Sequence, residues 1–202
     1  MSDLTNNRPG ESARRRADEL RAAAPRRAML ARLLNVKTDE RAYRKGSKGE
    51  EEVARRLQAL GSEWHVLHAI QVRESGTDID HLVIGPPGVF SLNTKNHLHA
   101  NVWVADKVIM VNGQKVPYLR NSKSEASRAT KTLSASCGFP VKVRPVIVIM
   151  ASSLTFKGRP IDVDVVARKR IVAWLKNRPT TLTTDHVARI YESARLSSTW
   201  LP

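Results

Sequence analysis

The chain has 202 residues, of which 34 are Lys or Arg and 19 are Asp or Glu, so its formal net charge is +15 at pH 7. This length allows one medium domain with extensions, and the charge favours a polyanionic partner such as nucleic acid. The single cysteine, Cys137, excludes an intrachain disulfide and is typical of a reducing compartment. The sequence lacks the apolar core of a signal peptide and any run near the roughly 20 residues of a membrane span. We therefore expect a cytoplasmic protein without a membrane partner.

Residues 1–45 form a basic N-terminal extension that contains the run Arg14, Arg15 and Arg16. Its few leucines cannot form a core of their own, so we expect it to be partly helical or disordered. The arginine run is a candidate nucleic-acid contact, and an ordinary solvated tail is the alternative. The folded domain is predicted to begin at residue 46.

A first helix is predicted to begin at Ser47. Ser47 and Glu50 have the spacing of a capping box, in which each side chain bonds the other's free backbone N–H. Apolar residues at helical spacing follow over 53–60, and Gly61 ends the pattern. This interpretation uses Glu50 as a cap partner. The alternative, that its carboxylate faces a functional site, stays open.

A β-hairpin is predicted in the stretch TDIDHLVIGPPGVFSLNTKNH, where two apolar runs flank the turn-forming residues 85–88. Antiparallel pairing across this turn sets Asp80 opposite Asn93, and Asp78 opposite Lys95. Directly opposed residues have Cβ atoms about 4.5–5.5 Å apart. Carboxylates, an amide oxygen and an ammonium group would then converge at the polar end of the hairpin, which we interpret as a site.

Beyond the hairpin, a further strand pair is predicted over 101–111. Ser122 and Glu125 have the spacing of a second capping box, which predicts a helix ending near residue 136. The basic flank of this helix, formed by Lys123, Arg128 and Lys131, is a second candidate nucleic-acid contact, with a solvated face as the alternative. Residues 143–150 form the most continuous apolar strand, which predicts a central position in the sheet.

Three segments together resemble a known family. They are the helix start GSKGE at 46–50, the hairpin DIDHLVIGPPGVF at 78–90 and the triplet NTK at 93–95. In this combination they are similar to the nuclease-related (NERD) branch of the PD-(D/E)XK nucleases. The resemblance covers about residues 46–150.

The resemblance implies an α/β fold with a restriction-endonuclease-like core, in which helices flank a mixed central sheet of four to five strands. The domain would span residues 46–202. Its motif-bearing core would occupy 46–150, and residues 157–202 would form a C-terminal helical cover.

The same resemblance implies a metal-dependent nuclease centred on Asp80, Asn93 and Lys95. Asp80 would ligate Mg²⁺ (or Mn²⁺), and the backbone carbonyl of Thr94 would be a second ligand. Lys95 would orient the attacking water or stabilise the transition state. Glu50 would be the acid of the first helix that faces the metal.

Asn93 departs from the Glu or Asp that is usual at its position in the wider superfamily. Its side-chain oxygen suits a hard ion such as Mg²⁺ but contributes no charge. If Glu50 caps its helix and Asp78 pairs with Lys95, the metal site holds one formal negative charge. Asn121 and Glu125, on the helix that approaches the site in the resembling family, are accessory candidates.

Three function hypotheses remain at this point. The first is a nuclease that hydrolyses nucleic acid, with DNA favoured over RNA. The second is a nuclease-derived module that binds nucleic acid or recruits a partner, because Asn93 has weakened or abolished turnover. The third is a structural ribosome- or nucleoprotein-associated factor with a vestigial site.

Overall fold

The computed structural model describes residues 2–24, 38–72 and 77–201. The helices of this part are α1 (Glu11–Ala23), α2 (Asp39–Leu57), α3 (Tyr118–Cys137), α4 (Ile171–Lys176), α5 (Thr184–Ala194) and α6 (Ser197–Trp200). The strands are β1 (His65–Val72), β2 (Thr77–Gly85), β3 (Gly88–Ala105), β4 (Val108–Val111), β5 (Gln114–Val116), β6 (Val143–Phe156) and β7 (Asp164–Ala167). None of these helices has the length and apolarity needed to cross a bilayer.

The strands of the described part form one mixed sheet, as the sequence predicts for an α/β fold. β1, β2 and β3 pair antiparallel, while β6 pairs parallel with β3 on one side and with β7 on the other. The apolar strand β6 is therefore central, as predicted. The sheet has seven strands rather than four or five. β3 continues for 18 residues, its far half pairs with β4, and β4 pairs in turn with β5.

The hairpin turn depends on close contacts that its glycines and prolines permit. The β2–β3 ladder closes at Gly85 and Gly88, which leaves Pro86 and Pro87 as the loop. A Cβ at Gly85 would lie 2.4 Å from the ring of Trp64, so only glycine fits there. The Pro86 carbonyl accepts hydrogen bonds from the backbone N–H of Thr181 at 2.8 Å, which ties the turn to the C-terminal segment.

Helices cover both faces of the sheet. On one face α3, α5 and α6 pack against a buried cluster that includes Leu82 and Ile84 of β2. On the other face α2 and α4 pack against a second cluster that includes Val83, Phe90 and Leu92. Alternating side chains of a strand point to opposite faces, so the continuous apolar runs of the hairpin supply both cores.

Residues 2–10 pack on the domain. Leu4 is buried in the core, and its N–H donates to the Arg195 carbonyl at 2.8 Å. The Asn7 side chain donates to the Ala69 carbonyl in β1 at 3.0 Å. These contacts join the N-terminus to the C-terminal helices and to the sheet edge.

Helix α1 follows and packs against α2. Arg14 pairs with Glu51 at 2.9 Å, and Arg44 pairs with Asp18 at 2.8 Å. Gly10, which precedes α1, has a φ of 72°, and a Cβ there would lie 2.6 Å from the Ser47 hydroxyl. Residues 25–37 of the predicted N-terminal extension lie outside the described residues. In the described part of the extension, α1 is held against the domain and residues 39–45 are the first turns of α2.

Both predicted capping boxes are wrong. Helix α2 begins at Asp39, where Thr38 accepts a hydrogen bond from the Arg41 N–H at 3.3 Å. Ser47 is therefore inside the helix, and its hydroxyl donates to Glu51 at 3.0 Å. The helix begins after Thr38 because its side chain caps the first turn, and the two acids that follow it favour a helix N-terminus.

The second box fails for a similar reason. Helix α3 begins at Tyr118, directly after Pro117, which occupies the position before the helix. Ser122 is one turn inside the helix and is buried. Consequently neither Glu50 nor Glu125 serves as a cap partner, and both carboxyl groups are free to take part in other contacts.

Candidate active site

The candidate site lies where β2 and β3 separate. Their ladder runs from Gly85–Gly88 to His81–Leu92 and goes no further. Beyond that point β3 is paired along one edge with β6, and β4 joins its other edge only from Val102 onward. The edge of β3 that faces away from β6 is therefore open between Leu92, where pairing with β2 ends, and Val102, where pairing with β4 begins. This open edge forms the base of the site.

The predicted cross-strand pairs of Asp80 with Asn93 and of Asp78 with Lys95 are wrong, because both fall beyond the end of the ladder. The Asp80 carboxylate instead accepts a hydrogen bond from the Thr94 N–H at 2.6 Å. The Asp80 side chain thus accepts the hydrogen bond that a backbone carbonyl of β2 would accept if the ladder continued. Asp78, Asp80 and Lys95 still line one gap, although no ladder pairs them.

The gap opens into a cleft of about 830 Å³. Its walls include the predicted site residues Glu50, Asp80, Thr94 and Lys95, together with Asp78. Asp80 and Lys95 therefore face the same cleft, as the site hypothesis requires. Asn93 does not line the cleft itself and lies next to α3.

Glu50 brings a carboxyl group from α2 into this cleft. It is 9% exposed, and no helix cap uses it. Burial, followed by the charge of Asp80, raises the pKa of Glu50 to about 9. The ammonium of Lys95 and a hydrogen bond from the Gly10 N–H act in the opposite direction. Of the two roles considered for Glu50, the structure places it at the site.

Glu125 brings a further carboxyl group, from α3. Its Oε2 accepts a hydrogen bond from the Asn93 side-chain amide at 3.0 Å, and the residue is 5% exposed. Burial, followed by the charge of Asp80, raises the pKa of Glu125 to about 8. Position 93 has no carboxyl group of its own, and the Glu125 carboxyl group from α3 lies within hydrogen-bond distance of its side chain.

Two buried oxygen atoms of this pair have no hydrogen-bond partner among the residues that the structure describes. They are Oδ1 of Asn93 and Oε1 of Glu125, the atoms not used in the bond between them. A buried oxygen without a donor is costly, so such atoms indicate an unfilled hydrogen-bond or ligand position. Both belong to groups adjoining Asp80.

Lys95 is the cation whose charge acts on all three buried carboxyl groups. Its charge lowers the pKa of Asp80, Glu50 and Glu125, although burial outweighs this effect and the pKa of each remains raised. The Nζ atom lies 5.0 Å from the ring centre of Tyr118, which supports the side chain from α3. Lys95 is thus held near the carboxyl groups by a contact that the sequence did not indicate.

The donors present suit a hard cation with few protein ligands. Within 2–24, 38–72 and 77–201, no group of three His, Cys, Asp or Glu side chains is arranged to hold a metal ion. The oxygen atoms that could ligate a metal are those of the Asp80 carboxylate, the unbonded oxygens of Asn93 and Glu125, and the Thr94 carbonyl. The Thr94 carbonyl points to the same strand edge as the Thr94 N–H, which donates to Asp80. Mg²⁺ is usually bound through one or two carboxylates and several waters, so this set fits it.

The predicted arginine run divides between two surfaces. Arg15 and Arg16 of α1 line the cleft, opposite the acidic groups. Arg14 points to α2, where it pairs with Glu51 and donates to the Pro9 carbonyl. Only two of the three arginines are therefore positioned beside the site.

The basic flank of α3 lies on the helix that carries Glu125. Lys131 is exposed, whereas Lys123 pairs with Asp162 and Arg128 donates to the Ser124 hydroxyl at 3.3 Å. Arg128 also lowers the pKa of Glu125, which places its charge near the site. Asn121 is exposed, and of the two accessory candidates Glu125 is the one hydrogen-bonded to a predicted site residue.

Replacing Glu50 by glutamine is expected to make stability less dependent on pH. The folded protein keeps the Glu50 proton up to about pH 9, whereas the unfolded chain loses it near 4.5. Unfolding therefore releases a proton in this window, and stability falls as the pH rises through it. Thermal denaturation in EDTA should show the Glu50→Gln variant melting several degrees above the original chain at the alkaline end, since 1 kcal/mol is worth roughly 2–4 °C at this size.

The matched control is Glu63→Gln, because Glu63 is exposed and lies outside the cleft. That variant should follow the pH dependence of the original chain. If Glu50→Gln also follows it, the Glu50 carboxyl is not buried in the charged cluster as described.

Comparison with family models identifies one match. The model described as "Nuclease-related domain" (NERD) matches residues 45–150, which is more than half of the chain. Comparisons with curated proteins and with solved structures find no match. The matched region contains Glu50, the β2–β3 hairpin and Glu125, so it includes every carboxyl group of the site. The chain belongs to the nuclease-related domain family, within the general context of the PD-(D/E)XK superfamily.

Proposed function

We propose that the chain is a Mg²⁺- or Mn²⁺-dependent nuclease that hydrolyses phosphodiester bonds in DNA. The observation that carries this proposal is the gap between β2 and β3, where Asp80, Glu50 and Lys95 line one cleft. Glu125 is buried near enough for the charge of Asp80 to raise its pKa. Asp80, Glu50 and Glu125 have raised pKa values there because they are buried close to one another. Strongly perturbed groups in and beside a cleft are typical of functional sites.

The residues that would hold the cation are Asp80, Asn93, Glu125 and the Thr94 carbonyl. When bound, a divalent ion lowers the pKa of a water molecule and polarises a phosphate oxygen. Lys95 would place its ammonium beside the scissile phosphate, where it would stabilise the charge of the pentavalent state or position the attacking water. Glu50, with its raised pKa, is suited to hold a proton near the leaving oxygen.

The position of Glu125 supports an enzyme over an inactive binding module. The binding-module hypothesis rests on the missing charge at Asn93, but a carboxyl group lies within hydrogen-bond distance of that side chain. A site with Asp80 and Glu125 offers two carboxylates, which is the number that Mg²⁺ sites commonly have. We propose this pair of carboxylates in place of the single-charge site expected from the sequence.

Nucleic acid as the substrate is supported by charge as well as by the family. The net charge of +15 favours a polyanion, and Arg15 and Arg16 line the cleft that contains the acidic groups. Basic side chains at the wall of a cleft and acidic ones at its base suit a phosphodiester held over a metal site. DNA is proposed over RNA, with RNA cleavage as the direct alternative.

The test is incubation of the purified chain with single-stranded DNA, with plasmid DNA and with RNA, each in Mg²⁺, in Mn²⁺ and in EDTA. We expect cleavage of DNA that requires a divalent ion and is lost in the Lys95→Ala variant. Absence of cleavage with either ion, together with retained binding of DNA, would replace the enzyme by the binding-module hypothesis. Cleavage that survives Lys95→Ala would assign the activity to a different site or to a contaminant.

A further inference from the structure

We infer that the cleft binds a single nucleic-acid strand rather than a continuous duplex, with a base stacked on Tyr43 and phosphates held by Arg15 and Arg16. The inference rests on the proposed function, since it names the substrate class of the same site. It concerns residues of α1 and of the first part of α2, which precede the region matched by the family model.

The shape of the cleft is the first argument. Helix α1 forms one wall, with Ser12, Ala13, Arg15 and Arg16 facing the side that contains Asp80. The volume of about 830 Å³ lies within the roughly 300–1,000 Å³ of pockets that enclose small molecules, which corresponds to a few nucleotides. A helix is about 10–12 Å across with its side chains, so α1 occupies space that a duplex lying over the acidic groups would need.

The position of α1 is fixed by several contacts. Arg14 and Asp18 each form an ion pair with α2, and Gly10 packs directly on Ser47. The Gly10 N–H also reaches the Glu50 carboxyl group, so the start of α1 touches the site itself. The wall is therefore a built part of the cleft, and its side chains are presented to whatever enters.

Tyr43 supplies the second argument. It lines the cleft from α2 and is 41% exposed, which is a large aromatic surface to leave in water beside acidic and basic groups. Proteins that bind single strands combine cationic side chains for the phosphates with aromatic rings on which bases stack. A base inside a duplex is already stacked on its neighbours, so its face is available to Tyr43 only in a single strand.

The arginines complete the set. The Arg16 guanidinium bonds Glu19 at 2.9 Å and also reaches the Tyr43 side chain, which joins the cationic and aromatic parts of the wall. Glu19 and Asp78 are acidic residues of the same cleft, so a bound phosphate would replace Glu19 as the partner of Arg16. Arg15 lies next to it on the wall and adds a second cation for the backbone.

The experiment measures binding by fluorescence anisotropy with the full chain in EDTA, where cleavage is suppressed. The probes are a labelled single DNA strand of mixed sequence, the blunt duplex made from it and the same duplex with a single-stranded overhang. We expect the single strand and the overhang to bind about tenfold more tightly than the blunt duplex. Tyr43→Ala should weaken single-strand binding by about tenfold, because base–aromatic stacking makes a contribution of that order.

Two further variants make the result specific. Tyr43→Phe keeps the stacking surface and should bind like the original chain. Phe156→Ala removes another exposed aromatic ring, 47% exposed and outside the cleft, and should also leave binding unchanged. Equal or tighter binding of the blunt duplex overturns the inference, as does single-strand binding that Tyr43→Ala does not alter. Preferred single-strand binding that Tyr43→Ala weakens, without cleavage in Mg²⁺ or Mn²⁺, supports the inference while refuting the proposed enzyme.

Discussion

Asp80→Asn is expected to reduce metal-dependent cleavage by at least about 100- to 1,000-fold, the loss that follows removal of one well-placed charged or polar group from an active site. Asparagine has the shape of aspartate and can accept the Thr94 hydrogen bond that Asp80 accepts at 2.6 Å. The fold should therefore be kept while the charge is lost. Removing a partly buried carboxylate with a raised pKa should leave the melting temperature in EDTA equal or higher at neutral pH.

The measurements are cleavage rates and Mg²⁺ binding by calorimetry. Asp185→Asn is the matched control, because Asp185 is 74% exposed at the start of α5 and lies outside the cleft. We expect that control to retain both cleavage and metal binding. A folded Asp80→Asn protein that cleaves DNA at the original rate would show that Asp80 does not bind the metal ion used in cleavage.

Glu125→Gln is expected to cause a loss of similar size, and moving the charge to position 93 should restore part of it. In the original chain the Asn93 amide donates to Glu125 at 3.0 Å. In the double variant Asn93→Asp with Glu125→Gln, the donor and acceptor exchange places, so the same hydrogen bond can form. The double variant then has its carboxylate on β3, where the wider superfamily usually has one.

The comparison needs the single variant Asn93→Asp as well. It places two carboxyl groups about one hydrogen-bond length apart, so the pair should retain a proton and bind Mg²⁺ more strongly as the pH rises. Cleavage rates and Mg²⁺ affinity are measured for all four proteins. Recovery in the double variant shows that Glu125 replaces the acid missing at position 93. Full activity in Glu125→Gln would show instead that Glu125 serves only to hold Asn93.

The sequence was sufficient for the parts of the protein that depend on local pattern. Apolar runs around residues 85–88 predict the hairpin, and the continuous run at 143–150 predicts the central strand β6. The composite motif around Asp80 and Lys95 identifies the family. These features depend on residues close together in the chain, so periodicity and turn chemistry are enough to predict them.

The surroundings of Glu50 and Glu125 could not be obtained from local pattern, although the family resemblance names both as candidates. Each follows a serine by three residues, and this spacing fits a capping box as well as it fits a helix interior. Which of the two occurs depends on where the helix begins, and Thr38 and Pro117 determine that from several residues upstream. An internal carboxyl group can then point to whatever the tertiary packing places beside it.

The sequence by itself determined the family and the α/β class, and it named Asp80, Thr94 and Lys95 among the candidate site residues. Only the tertiary structure decided that β2 and β3 separate beyond His81 and Leu92, that α3 supplies Glu125 beside Asn93, and that α1 forms a wall of the cleft. The physical reason is that these contacts join residues far apart in the chain. Their formation depends on how the helices pack over the two faces of the sheet, which no local pattern of residues specifies.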